Sequence, residues 1–105
     1  MNRRATALVL ALGLVSAGSV RAAGPSEVFV TNCAVCHGED GKGQTEEGKK
    51  KGARNFSSKE WQKLESDADI TKVITKGKGK MPSFGKKLSA DEIKALVADV
   101  RAFGQ

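Results

Sequence analysis

Two cysteines and the chain's one histidine stand together as Cys33-Ala34-Val35-Cys36-His37, and the 105 residues hold no further Cys or His. This cluster restricts what can staple so short a chain. A disulfide between Cys33 and Cys36 would close too small a loop to remove much entropy from the unfolded state. A dithiol redox motif of this spacing calls for a preceding strand and a βαβ setting. No alternating strand pattern occurs in the sequence. A structural zinc site takes four ligands, usually from two separated pairs, and three are present. A buried Cys pair beside an incidental histidine is the plainest reading left.

The remaining reading is covalent attachment of a c-type haem, for which C-x-x-C-H is the attachment motif. Thiols at i and i+3 on a helix end point the same way, and a histidine at i+4 shares their face. Two thioethers to one porphyrin and a ring nitrogen on its iron then come from a single turn. With one histidine in the chain, the opposite side of the iron needs another donor. Of the two methionines, Met1 begins the apolar leader described next, which leaves Met81. It could be ordinary core filler. It sits, however, in a run of Gly and Lys beside Pro82, not on a helical stripe, and Met/His is a recognised haem ligation. Met81 is therefore the expected sixth ligand.

Arg3 and Arg4 precede an uncharged run from Ala5 to Val20, and Val20-Arg21-Ala22 offers a cleavage site. This is the layout of a secretory signal peptide over residues 1–22. A membrane anchor needs ~20 apolar residues, and this run is shorter and interrupted by Gly and Ser. A twin-arginine signal fits less well, since no bulky apolar pair follows the arginines. Export, most simply to a bacterial periplasm, suits haem attachment outside the cytoplasm. Residues 23–105 then form one domain. Three of the 18 basic residues and none of the 12 acidic ones lie in the leader, so the formal charge of +6 becomes +3.

The rest of the sequence predicts about four short helices between glycine-rich loops, an all-α chain. A first helix is expected over residues 25–36. Residues 38–52 are expected to be loop, with Lys49-Lys50-Lys51 a solvated run. Ser57 with Glu60 suggests a capping box ahead of Trp61 and Leu64. Ser66 opens a helix with Ile70, Val73 and Ile74 on one stripe, ended by Gly77. Ser89 with Glu92 is a second capping box. Ile93, Leu96, Val97, Val100 and Phe103 follow at helical spacing up to Gly104.

These motifs resemble a small, single-domain class I cytochrome c. The resemblance runs from about Pro25 to Gly104. It rests on Phe29 four before the first cysteine, Cys33-Ala34-Val35-Cys36-His37-Gly38, and Gly77-x-Gly79-x-Met81-Pro82-x-Phe84. It implies the cytochrome c fold, with the first and last helices crossing and one haem enclosed. It also implies one-electron transfer between larger redox proteins. Pro25 and Asp99 depart from the small residue and the aromatic that the family tends to place at the crossing. The family's proline carbonyl beside the proximal histidine is replaced by the region Gly52-Ala53-Arg54. Phe29, Val35, Phe56, Trp61, Leu64, Val73, Ile74, Phe84 and Leu96 are the expected haem wall. The Trp61 indole is a candidate donor to a propionate.

Lys72, Lys76, Lys78, Lys80, Lys86 and Lys87 flank Met81, and no acid lies between Ile70 and Ala90. A one-sign patch orients a protein toward acidic partners. The expectation is thus an exported, monomeric electron carrier for redox proteins with acidic docking surfaces. It meets membranes only through such partners and takes no nucleic acid and no small-molecule substrate. It is not expected to be an enzyme. The alternatives are a dedicated cytochrome subunit of a redox complex, or a ligand-binding or peroxidase-like haem protein. The latter lacks a second histidine for acid–base work.

Overall fold

The computed structural model describes Gly13 and residues 24–105. The expected signal segment, residues 1–22, lies outside the described residues apart from Gly13. Six helical segments and no strand are found among the described residues: α1 (Glu27–Asn32), α2 (Ala34–His37), α3 (Glu46–Lys51), α4 (Lys59–Leu64), α5 (Asp67–Lys76) and α6 (Ala90–Phe103). The all-α expectation holds, with more and shorter helices than the apolar periodicity predicts.

The first expected helix is divided. Ser26 caps α1, its hydroxyl accepting from the Phe29 N–H. Cys33 then leaves ideal helical geometry at φ −117°, ψ −32°. The hydrogen bonds pass across this hitch, from Cys33 N–H to the Phe29 carbonyl and from His37 N–H to the Cys33 carbonyl. The cysteine-histidine motif therefore occupies its own turn, α2.

Helix α3 appears where glycine-rich composition predicts loop. Thr45 caps it by accepting from the Gly48 N–H at 2.9 Å. Glu46 and Glu47 stand in the first turn and Lys49, Lys50 and Lys51 in the last, which complements the helix dipole. Three exposed Glu–Lys pairs at 3.8–3.9 Å add at most a few tenths of a kcal/mol each, about 0.2–0.5. Gly52, at φ +67°, ends the helix in the left-handed conformation. Ahead of α4 the cap is Ser58, not Ser57. Ser57 is held by Asn55 Oδ1 through both its N–H and its hydroxyl, and Ser58 accepts from the Trp61 N–H at 3.2 Å. The other two helix starts are as expected: Ser66 caps α5, and Ser89 with Glu92 forms a complete capping box on α6.

Phe29 and Leu96 are each 1% exposed and sit at the centre of the core. Around them pack Phe56, Ile70, Ile74, Phe84, Ile93, Val97 and Val100. Where α1 meets α6, the phenyl rings of Phe29 and Phe103 tilt together at 5.1 Å. Asp99 takes part in this crossing as a polar clamp. Its carboxylate accepts from the Ser26 N–H at 3.1 Å and from the Ser26 hydroxyl. On the far side, Arg101 of α6 pairs with Asp67 at 2.7 Å and donates to the Gln62 carbonyl at 2.8 Å, holding α4 and α5.

Candidate haem site

Helix α2 opens onto a cleft of about 300 Å³ whose lining includes Cys33, Val35, Cys36, His37, Val73, Met81 and Phe84. All four residues expected to hold the cofactor thus border one cavity. A second, smaller cleft meets it at His37, Val73 and Met81, and is walled by Phe56, Trp61, Ile70 and Ile74.

His37 is 8% exposed, the one buried polar side chain among the described residues. Its ring stacks on Phe56 at 4.3 Å with 19° between planes. The Nδ1–H donates to the Arg54 carbonyl at 3.2 Å, which leaves Nε2 free to act as a ligand. The acceptor the sequence left open within Gly52-Ala53-Arg54 is therefore Arg54. Burial pushes the His37 pKa down, opposed in part by that hydrogen bond, so the ring favours the neutral form that binds metals. Cys33 and Cys36 carry free thiols. Burial first, then the charges of Asp99 and Cys36, push the Cys33 thiol up to about 11.

Met81 reaches the cleft on a tight turn. Lys78 and Met81 exchange backbone hydrogen bonds at 3.1 and 2.9 Å across Gly79-Lys80. The turn is fastened to α5 by Phe84 N–H to the Ile74 carbonyl and Gly85 N–H to the Thr75 carbonyl. Gly77 makes this possible at φ +76°, since a Cβ there would lie 2.7 Å from the Met81 carbonyl oxygen.

Several expected wall residues are placed elsewhere. Leu64 is 74% exposed and borders neither cleft, because α4 turns that side outward. Phe29 and Leu96 lie in the core behind the clefts and do not line them. Val35 lines the main cleft yet is 62% exposed, at its rim. Trp61 lines the second cleft with its ring 5.1 Å from Phe56. Sequence reasoning missed Asn32 and Lys51 at the main cleft. The Asn32 Oδ1 is buried without a hydrogen-bond partner.

The family model for the cytochrome c oxidase, cbb3-type, subunit III matches residues 20–98. The chain belongs to this family. It is 42% identical over 80 residues to the cbb3-type cytochrome c oxidase subunit FixP of Azorhizobium caulinodans, covering 75% of this chain and 26% of that subunit. The FixP subunit of Bradyrhizobium diazoefficiens is 34% identical over 93 residues, covering 88% of this chain and 31% of the subunit. The chain thus spans about a quarter to a third of these relatives' length. Among solved structures it is similar to the KustC0563 c-type cytochrome, with a TM-score of 0.70 and 40% identity, over 74% of this chain and 94% of that one. The fold is that of a small c-type cytochrome domain.

Membership implies a covalently bound haem c with its iron, and the residues present fit it. Two free thiols, a neutral imidazole with one nitrogen committed and one available, and a soft thioether all border the same largely apolar cleft.

Proposed function

We propose that this chain carries single electrons through one covalently held haem c, as the cytochrome subunit or domain of a redox complex. The observation that carries the reading is the convergence of Cys33, Cys36, His37 and Met81 on one cleft. Bound haem supplies a one-electron Fe(III)/Fe(II) couple. Cys33 and Cys36 would tether it by thioethers, and His37 Nε2 and Met81 Sδ would hold its iron. The Arg54 carbonyl orients the His37 ring. Phe56, Val73 and Phe84 give the two clefts apolar walls that would help keep water from a bound haem. No bond in a substrate is made or broken, and the chain's one histidine is spent as a ligand.

Membership of a complex is supported by the relatives, which are named as subunits of cbb3-type oxidases. A freely diffusing exported carrier is the second reading. It is supported by the signal-like residues 1–22 and by KustC0563, nearly all of which the domain spans. In both readings, export to the periplasm places the domain where c-type haem is attached. Lys72, Lys76, Lys78, Lys80, Lys86 and Lys87 are all exposed, and Lys78 and Lys80 border the cleft mouth together with Lys51. They suit docking to an acidic partner surface beside the haem.

The test is purification of the tagged full chain from its native membranes and soluble extract. Complex membership gives a detergent-stable assembly that carries the c-type absorption of the chain together with an oxidase. Recovery of a haem-loaded monomer from the soluble fraction alone would favour the carrier reading. A haem-free protein in both fractions would overturn both.

A further inference from the structure

Helix α3 is fastened to the motif turn in a way that ligand binding alone does not require. The Thr45 hydroxyl lies 2.7 Å from the Val35 carbonyl and 3.0 Å from the Cys36 carbonyl, so its one proton is shared between them. These carbonyls belong to the last turn of α2 and have no partner within that helix. The same Thr45 oxygen accepts from the Gly48 N–H. Gly48 itself abuts α2 so closely that a Cβ would lie 2.0 Å from the Cys36 carbonyl oxygen. The His37 carbonyl is taken by the Gly43 N–H at 2.8 Å. Past the other end of α3, the chain turns at Gly52 and delivers the Arg54 carbonyl to His37 Nδ1. Thus α3 meets the α2 backbone at its start and leads to the ring's partner at its end.

We infer that Thr45 is a positioning residue for His37. Its hydroxyl fixes α2 against α3, and so fixes the distance between the imidazole and the Arg54 carbonyl. The inference rests on His37 being the proximal ligand. A well-formed Nδ1–H···O=C bond raises the basicity of the ligating imidazole, which favours Fe(III). Loosening that bond moves the reduction potential upward. Gly48 has a companion role, as the one residue type that lets the two backbones approach this far.

The experiment uses the full, haem-loaded chain with Thr45→Val, Thr45→Ala and Thr45→Ser. Potentiometric titration and hydrogen exchange of the His37 Nδ1 proton by NMR are the two readouts. A merely structural role for Thr45 would move thermal stability without either. The expected result is an upward shift of potential and faster exchange of the ring proton in the valine and alanine variants. The serine variant, which keeps the hydroxyl, should return both to the parent values. The alanine variant guards against disruption caused by pressing a valine methyl onto the Val35 and Cys36 carbonyls. Parent-like potential and exchange in the hydroxyl-free variants would overturn the inference. So would a serine variant shifted as far as valine. The haem content of the parent is read separately, so loss of the haem reading itself is distinguishable from loss of this one.

Discussion

On the proposed ligation, Met81 is the residue that would set the redox character of this domain. It is half-buried at the edge of the core and borders both clefts. Met81→Ala should leave the haem covalently attached, because the proposed attachment uses Cys33 and Cys36 and not Met81. The reduction potential should fall strongly, since a thioether ligand favours Fe(II). Added imidazole should bind the variant far more readily than the parent. Potentiometry and an imidazole titration check both. Changing either cysteine to serine should halve the thioether links, and the double variant should release its haem into acid-acetone. At this scale most of the candidate site, as the lining of one cleft, was legible. Cys33, Cys36 and His37 announce themselves by spacing, and Met81 by being the one methionine after residue 1. Arg54 was not, because it acts through a backbone carbonyl that every residue type carries. Asn32 and Lys51 were not, because neither belongs to a motif and only the tertiary fold brings them to the cleft.

Elements were legible in proportion to how far their own sequence decides them. Helix α6 combines a complete capping box, an apolar stripe and a terminal glycine, and it forms where all three place it. Ser89→Ala should cost about 1 kcal/mol, read as a lower denaturation midpoint with an unchanged denaturant slope. Helix α3 was hidden because it has no apolar stripe. A six-residue helix is marginal alone, and this one is held by Thr45, by dipole-matched charges and by Gly48 packed on α2. The signal that could have revealed it is the order Thr45-Glu46-Glu47 ahead of Lys49-Lys50-Lys51-Gly52, a capped start, acid first, base last and glycine at the close. Gly48→Ala places a methyl against the Cys36 carbonyl. It should therefore lower the thermal midpoint by more than alanine at the exposed Lys49, measured on the same holoprotein. The hitch at Cys33 was invisible for a different reason. Helical spacing runs through it unbroken, and only the backbone angles record it.

For the molecule as a whole, the uneven charge should govern encounter. Six exposed lysines lie on and around the Met81 turn, while the acids of residues 23–105 lie elsewhere in the chain. Electron exchange with an acidic redox partner should slow as the Debye length shrinks from ~10 Å at 0.1 M salt to ~3 Å at 1 M. Stopped-flow rates across that range measure it, and a flat or rising rate would remove the lysines from the docking face. The small core of so short a chain also fits the central claim, since a covalently held cofactor would add the apolar surface that so few aromatics leave lacking. The most direct test of that claim is the intact mass of the purified protein under denaturing conditions. The account predicts a polypeptide heavier by one haem that survives denaturation, and loss of that increment when Cys33 and Cys36 are both serine. A parent protein with the mass of the bare polypeptide, or a double variant that keeps the increment, would contradict it.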